Sequence, residues 1–328
     1  MAVILVTGGA GYIGAHTCMR LAAAGHKPVV FDNFENGHAE FVKWGPSAVG
    51  DIRDPDALAR AFRDHRPEGV MHFAGLILGE ESMERPRLYH DVNVEGTRTL
   101  VDIMERFKVE RLVFSSSCAV YGRPSKVPLD ESAAFAPISP YGETKADAER
   151  LLRDRDAPGT IRSVSLRYFN AAGADPGAVL GEDHQPETHA IPLAIAAARG
   201  LSSNPFLLRG TDYPTGDGTA IRDYVHVCDL AEAHLLAWQF LAEGGPTEAF
   251  NVGTGTGISV QQLLEEVGDI VGTPVPVQTM GRRRSDAPAL FASAQKARAT
   301  LGWTPQASTL RSIVETATVW HRKRFPAG

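Results

Sequence analysis

Short apolar runs alternate with longer segments of mixed polarity through the first half of the chain. The apolar runs cover residues 3–7, 29–32, 69–74, 112–116 and 164–168. The segments between them, such as 13–24 and 97–107, are helix-like. This alternation predicts an α/β fold with a doubly wound parallel sheet that is covered by helices on both faces. Right-handed crossovers then place a ligand crevice at the carboxyl ends of the strands.

The composition of the sequence changes after about residue 172. Gly, Pro, Asp and Thr collect at 173–181 and 210–219, which are predicted loops. Short helices are predicted after these loops, at 191–198, 229–241, 261–271 and 310–324. We therefore expect two lobes, residues 1–172 around the sheet and a smaller α/β lobe at 173–328. The segment near 220–252 is a candidate to pack back on the first lobe.

Composition excludes some classes of partner. The 328 residues carry a net charge of −6, which gives no electrostatic reason to expect nucleic acid or an anionic membrane. Cys18, Cys118 and Cys228 are far apart and form no C-x-x-C pair, so we expect no disulfide framework and assign no metal site. The apolar segment at the start of the sequence ends at Gly8, so it is too short for a signal peptide or a membrane span. These features predict a cytoplasmic protein.

A glycine-rich loop follows the first predicted strand and opens a helix. Gly8, Gly11 and Gly14 have the spacing Gly-x-x-Gly-x-x-Gly. Missing side chains let the backbone turn tightly and approach a pyrophosphate, whose charge is favoured at a helix N-terminus. An ordinary tight turn would use the same residues, so the loop alone does not distinguish a phosphate-binding site from a simple turn.

An acid at the end of the second strand strengthens the case for a dinucleotide. Asp32 lies 24 residues after Gly8, near where the adenosine ribose is expected. A carboxylate there accepts hydrogen bonds from the ribose hydroxyls and repels a 2′-phosphate. The order strand, loop, helix, strand, acid therefore predicts a dinucleotide site that favours NAD over NADP.

A tyrosine and a lysine share one face of a later helix. Pro140 starts this helix, and Tyr141 and Lys145 lie four residues apart on the side that carries Ala148 and Leu152. Because those two residues are apolar, the face must look inward. A lysine beside a tyrosine favours the phenolate and lowers the phenol's pKa. Such a tyrosine can take a proton from a substrate hydroxyl while carbon gives hydride to NAD.

The place of the Tyr–Lys helix in the sequence supports its catalytic assignment more than the four-residue spacing does. The Tyr–Lys helix follows a strand that ends in Ser115, Ser116 and Ser117, and strand ends of such sheets face the cofactor crevice. Ser117 can then hydrogen-bond the reacting hydroxyl. Without Tyr141 nearby, it would be read as a serine that solvates a strand end.

Together these residues resemble the extended short-chain dehydrogenase/reductase superfamily and, within it, the UDP-hexose 4-epimerases. The likeness covers nearly the whole chain. Its specific pieces are Val-Thr-Gly-Gly-Ala-Gly-Tyr-Ile-Gly at 6–14, His-Phe-Ala-Gly at 72–75, Arg-Tyr-Phe-Asn at 167–170, Gly-Glu-Asp at 181–183, Asp-Tyr-Pro-Thr at 212–215 and Ile-Arg-Asp-Tyr-Val-His-Val at 221–227. The resemblance implies a Rossmann-type NAD-binding domain at 1–172, a UDP-sugar-binding lobe at 173–328 and a homodimer. It further implies interconversion of UDP-galactose and UDP-glucose by transient oxidation at sugar carbon 4.

The resemblance also assigns roles to individual residues. Tyr141 transfers the proton, Lys145 binds the nicotinamide ribose and tunes Tyr141, and Ser117 orients the 4-hydroxyl. The implied cofactor contacts are Gly8, Gly11, Tyr12, Ile13, Gly14, Asp32, Asn33, Asn36, Asp51, Ile52, Phe73, Ala74, Gly75, Asn93, Ser115, Tyr141, Lys145, Tyr168 and Phe169. The implied UDP-sugar contacts are Ser117, Asn170, Arg222, Arg283, Asp286 and Leu290. Of the four residues Arg222 and arginines 282–284, two are expected to reach the diphosphate. At least one of the three clustered arginines is expected to be a solvated charge.

Leu290 bears on which sugars fit. By resemblance it stands at a wall of the hexose pocket, where strict glucose/galactose enzymes place a bulky tyrosine. Leucine would leave room for an N-acetyl group, although a leucine is as often a packing residue. Three other departures, Ile77, Arg209 and Ala119, fall near expected cofactor-phosphate, uracil and Ser117 contacts, and none touches the Tyr–Lys pair.

Three other functions share part of this sequence pattern. A UDP-glucuronate 4-epimerase would differ only in the sugar pocket. A nucleotide-sugar 4,6-dehydratase would carry Asp-Glu after the residue that ends the strand, whereas Ser117 is followed by Cys118 and Ala119. A non-catalytic NAD-sensing regulator usually lacks the tyrosine or the lysine, and this chain has both.

Overall fold

Strands and helices alternate along the chain. The structure is a computed structural model that describes residues 1–156, 160–282 and 286–326. The strands in these ranges are β1 Val3–Thr7, β2 Lys27–Asp32, β3 Ser47–Val49, β4 Gly69–His72, β5 Arg111–Ser117, β6 Arg162–Tyr168, β7 Asn170–Ala172, β8 Phe206–Arg209, β9 Ile221–Arg222, β10 Tyr224–His226, β11 Glu248–Val252, β12 Ile258–Ser259, β13 Val277–Met280 and β14 Ala289–Leu290. The α-helices are α1 Tyr12–Ala23, α2 Pro55–His65, α3 Gly79–Glu84, α4 Pro86–His90, α5 Gly96–Arg106, α6 Pro140–Asp154, α7 Ala190–Ala198, α8 Val227–Ala242, α9 Val260–Val271, α10 Gln295–Leu301 and α11 Leu310–Arg324.

A parallel sheet forms the centre of the molecule. Across the described ranges it has seven strands in the order β11-β6-β5-β4-β1-β2-β3, and each neighbouring pair is parallel. The strand order reverses between β1 and β4, and a crevice for a ligand opens at such a point. The predicted doubly wound α/β fold is confirmed.

Alternating side chains of the central strands belong to two hydrophobic cores, one on each face of the sheet. In β1, Ile4 and Val6 belong to the core that also contains Leu21 and Trp238. Leu5 belongs to the opposite core, with Phe62 of α2. Strands buried on both faces read as continuous apolar runs, which is why the sequence pattern finds them. It misses β3, whose Ser47 and Val49 are exposed.

The later part of the chain builds smaller sheets and then returns to the large one. β7 pairs with β10, β8 with β13, and β9 lies between β12 and β14. Helices α7, α9 and α11 contribute to one further core. By contrast, α8 packs against α1 and β11 pairs with β6. The division of the chain into two lobes stays a prediction. In the described parts of the chain, no helix is both long and apolar enough to cross a membrane.

Candidate active site

The glycine-rich loop connects β1 to α1 at the switch point of the sheet. Gly8 has a φ of +70°, and a Cβ on it would lie 2.6 Å from the main-chain nitrogen of Ala74. A Cβ on Gly14 would lie 2.3 Å from the Gly8 oxygen. Gly11 precedes α1 and has no side chain with which to cap it, so first-turn N–H groups remain for an anion. The loop fits a pyrophosphate that approaches the backbone closely.

Asp32 ends β2 beside this loop. Its side chain is buried, and its two oxygens accept hydrogen bonds from the main-chain nitrogens of Ala10, at 3.0 Å, and Phe34, at 2.9 Å. Burial raises the pKa of this carboxyl, while the main-chain hydrogen bonds act against the rise. These bonds fix the carboxylate at the mouth of the crevice. The neighbouring Asn33 and Asn36 are exposed there.

The loops after β3 and β4 complete the rim of the crevice. After β3, Ile52 is buried and Asp51 accepts a hydrogen bond of 2.7 Å from Arg53, which holds the pKa of Asp51 below its ordinary value. After β4, the main-chain nitrogens of Phe73 and Ala74 both donate to the Thr7 oxygen. The rim is therefore tied directly to β1.

Asn93 links the loop after β4 to α6. Its amide oxygen accepts from the Leu76 nitrogen at 2.8 Å, and its amide nitrogen donates to the Leu76 oxygen and to Thr144. A Cβ on Gly75 would lie 2.9 Å from this amide oxygen and 3.9 Å from Lys145 Nζ. The residues predicted to hold the cofactor thus lie directly beside the predicted catalytic helix.

Lys145 is held at the carboxyl end of β5. Its Nζ donates a 2.9 Å hydrogen bond to the main-chain oxygen of Ser115 and lies 6.0 Å from the centre of the Tyr141 ring. Burial lowers the pKa of Lys145 to about 8, although Glu149 acts to raise it. Ser115 also hydrogen-bonds the hydroxyl of Tyr168.

Tyr141 is half-buried at the first turn of α6 and faces Ser117. Burial raises the pKa of its phenol, and a hydrogen bond with Ser117 counteracts part of that rise. The lowered phenol pKa expected from Lys145 is therefore wrong, because burial is the largest cause of the shift. Phe169, also a predicted cofactor contact, is buried in a cluster with Tyr121.

A buried ion pair that sequence reasoning missed supports this strand end. Arg167 of β6 and Glu149 of α6 are 2.7 Å apart, with 3% and 2% of their side chains exposed. Ser116 donates to Glu149 at 2.5 Å, and Arg167 donates to the Tyr121 hydroxyl at 2.9 Å. Arg167 is the one charged residue in the predicted strand run 164–168, and that charge is the signal that could have revealed the pair.

The predicted substrate residues meet across the small β9 sheet. Arg222 donates to Asp286 at 3.2 Å and to the Ala287 oxygen at 2.8 Å. Leu290 lies opposite Arg222 in the β14–β9 register and is half-buried. Asn170 begins β7 and donates to the Asp223 oxygen at 3.0 Å. The predicted contact at Arg283 falls outside the described residues.

Asp223 is a second supporting residue that the sequence analysis did not single out. It is fully buried, and its two oxygens accept main-chain hydrogen bonds from Thr254, Gly255 and Ala292. It therefore ties β9 to the segments on either side. Nearby, Arg282 pairs with exposed Asp212 and lies over the Tyr213 ring, so this arginine of the cluster has a local partner.

The glycine loop and the acid after β2 define a Rossmann-type dinucleotide-binding protein, and the predicted Tyr–Lys pair lies at the end of β5 beside them. A sequence model described as "NAD dependent epimerase/dehydratase family" matches residues 4–253. The chain belongs to this family, as the sequence predicted.

Individual relatives narrow the comparison. A UDP-glucose 4-epimerase of Rhizobium leguminosarum bv. trifolii is 51% identical over 98% of this chain and 97% of its own length. The crystal structure of UDP-glucose 4-epimerase from Brucella ovis in complex with NAD has a TM-score of 0.94 at 45% identity, covering 97% of this chain and 98% of that one. The Bifidobacterium longum UDP-glucose 4-epimerase in complex with NAD⁺ and UDP has a TM-score of 0.92 at 34% identity, covering 98% of each chain.

Proposed function

We propose that this protein interconverts UDP-galactose and UDP-glucose by transient oxidation of sugar carbon 4, with NAD held throughout. The observation that carries the proposal is the convergence of Tyr141, Lys145 and Ser117 at the end of β5, beside a loop built for a pyrophosphate. The named relatives support the same reaction.

The glycine loop and Asp32 are the groups proposed to hold the cofactor. First-turn N–H groups of α1 would bind its pyrophosphate, and the fixed Asp32 carboxylate would accept from the adenosine ribose hydroxyls. Asn93 and Lys145 would border its nicotinamide end, because the loop after β4 lies against both. When bound, NAD supplies a hydride acceptor for carbon 4 and a positive ring whose field favours the phenolate.

Tyr141 is proposed to carry the proton in both directions. It takes the 4-hydroxyl proton as carbon 4 is oxidised to a ketone, and returns it when the ketone is reduced on the other face. Lys145 places a positive charge near the phenol. Its side chain is held in one position, because its Nζ donates a hydrogen bond to the Ser115 oxygen. Ser117 faces the same phenol and is positioned to orient the hydroxyl.

The second group of residues is proposed to hold the UDP portion. The Arg222 guanidinium is fixed by Asp286 and by main-chain oxygens, which suits a diphosphate partner of defined geometry. Asn170 and Arg283 are assigned to the same ligand by resemblance. Firm binding of UDP and loose binding of the hexose let the keto sugar turn over between the two hydride transfers.

The direct test is conversion without added redox reagents. Purified protein is expected to convert UDP-galactose to UDP-glucose with no added reductant, because the reaction is redox-neutral overall. Chromatography of the two UDP-sugars measures it. UDP-glucuronate in a parallel reaction tests the uronate epimerase, and the absence of any conversion with bound NAD present would indicate a regulator instead.

We propose that the N-acetylated UDP-hexosamines are accepted as well. The specific observation is Leu290, which is half-buried on β14 directly opposite Arg222. A leucine lacks the ring that would fill the space beside carbon 2, and removal of a steric wall relaxes specificity.

We also propose a cytoplasmic homodimer. Resemblance supports association through two helices of the first lobe, and the three cysteines, all free, suit a reducing compartment. Analytical ultracentrifugation tests the association: a mass of about twice 35.3 kDa supports it and a monomer contradicts it.

A further inference from the structure

Two histidines and two glutamates converge in the loop between β7 and α7. Glu182, His184, Glu187 and His189 follow one another as Glu-x-His-x-x-Glu-x-His. One ligand atom from each lies within 4.8 Å of the others. The His189 Nδ1 is 2.8 Å from Glu182 Oε1, and the His184 Nδ1 is 3.4 Å from Glu182 Oε1 and 3.9 Å from Glu187 Oε2. Ligands of a tetrahedral zinc ion lie about 3.3 Å apart, close to these separations.

One nitrogen in this group has no hydrogen-bond partner. The Nδ1 of His184 is buried and lies within 4 Å of both carboxylates without a hydrogen bond to either. A buried nitrogen without a partner is costly, because it has lost its water. A shared cation would satisfy this atom together with the His189 Nδ1, since a neutral imidazole nitrogen is a metal ligand.

The charges of the group also call for a cation. Glu182 is 93% buried, as 7% of its side chain is exposed, and it lies next to a second carboxylate, Glu187. A ligand oxygen of Glu182 and one of Glu187 lie within 4.8 Å of each other, so two carboxylates converge here. A divalent cation with two neutral histidines balances both.

We propose that Glu182, His184, Glu187 and His189 bind one Zn²⁺ ion. Imidazole nitrogens disfavour Mg²⁺ and Ca²⁺, whereas two nitrogens and two carboxylate oxygens form a common zinc ligand set. Glu187 retains a free oxygen for this role, because its other oxygen already accepts from the main-chain nitrogens of Thr188 and His189.

The ion would hold this loop against the cofactor crevice. His184 lies edge-to-face with Tyr12, the first residue of α1, at 6.2 Å between ring centres. The Tyr12 hydroxyl donates to the Gly173 oxygen at 2.6 Å. His189 is the residue that precedes α7. The proposed role of the ion is therefore structural, and the ion takes no part in the proton transfer proposed above.

Zinc content and zinc-dependent stability test the proposal. Untagged protein is treated with a chelator, dialysed against Zn²⁺ and desalted, and its metal is measured by mass spectrometry. We expect about one zinc per chain. We also expect 100 μM Zn²⁺ to raise the Tm of the chelator-treated protein by about 4 °C or more, and Mg²⁺ to leave it unchanged.

Matched variants separate this site from surface histidines. His184→Gln and Glu187→Gln are expected to lose the bound zinc and the Tm increase, whereas His90→Gln, at an exposed histidine of α4, keeps both. The Tm of each variant in chelator shows that it is folded. The proposal is overturned if the wild type retains less than about 0.1 zinc per chain, or if both site variants bind zinc as the wild type does. Either result leaves the four residues as an ion-pair cluster without metal.

Discussion

Lys145 and Ser115 are joined by a 2.9 Å hydrogen bond from the lysine Nζ to the serine main-chain oxygen. This bond connects α6, the helix that carries the proposed catalytic residues, to the strand end that faces the crevice. It also holds a lysine in a place where only 4% of it is exposed. A buried ammonium is costly, and that cost has a measurable pH dependence.

Stability is expected to depend on pH through Lys145. Burial lowers its folded-state pKa to about 8 from 10.5. Between these values the unfolded chain binds more protons at this position, so stability rises with pH. Relative to Lys145→Met, the wild type should gain on the order of 3 kcal/mol in free energy of unfolding from pH 7 to above pH 10.

Urea unfolding of both proteins across this pH range measures the gain. Lys27→Met, at an exposed lysine, serves as the control that shows no such change relative to the wild type. A constant difference between wild type and Lys145→Met would show that the folded-state pKa is not lowered.

Replacing Tyr141 by Phe should remove proton transfer while preserving the fold. The change deletes one oxygen, so bound NAD and the melting temperature are expected to stay near those of the wild type. Turnover of UDP-galactose should fall by about 10²–10⁴, as for loss of a general acid–base. A variant that keeps more than about a tenth of the wild-type turnover would exclude Tyr141 as the proton carrier.

Asp32 is expected to set both cofactor retention and the choice between NAD and NADP. Asp32→Ala should purify with less bound NAD and should discriminate less against NADP, because ribose hydrogen bonds and charge repulsion are both lost. Asp32→Asn keeps the size and removes the charge, so it separates the two effects. Chromatography of nucleotide released from denatured protein measures them. Unchanged NAD content and preference in both variants would contradict the assignment.

Leu290→Tyr should restrict the sugar pocket. The tyrosine restores a wall beside carbon 2, so turnover of UDP-N-acetylgalactosamine should fall while that of UDP-galactose is retained. Rates for both sugars are compared in both proteins. If the wild type rejects the acetylated sugar, or if both rates fall equally, Leu290 is a packing residue and the assignment of UDP-hexose epimerisation is unaffected.

The first half of the fold was predictable because its strands are buried on both faces. β1 and β5 appear in the sequence as apolar runs, and the sheet then places their carboxyl ends together. The positions of the glycine loop and of Asp32 beside the crevice follow from that placement of the strand ends. Helix periodicity likewise put Tyr141 and Lys145 on one inward face of α6.

The later part of the chain carries weaker local signals. β9 and β14 have two residues each, and they exist because strands distant in sequence pair with them. The Glu149–Arg167 pair requires knowledge of how α6 lies on β6. Burial sets the pKa of Tyr141, and no motif spacing reports burial.

The central claim is that hydrogen leaves carbon 4 of the sugar and returns to the same carbon. UDP-galactose carrying deuterium at carbon 4 tests it most directly, in ordinary water with no added cofactor. The UDP-glucose formed is expected to retain the deuterium at carbon 4, as measured by mass spectrometry and NMR. Loss of the deuterium to solvent, or no conversion by folded protein with bound NAD, would contradict it.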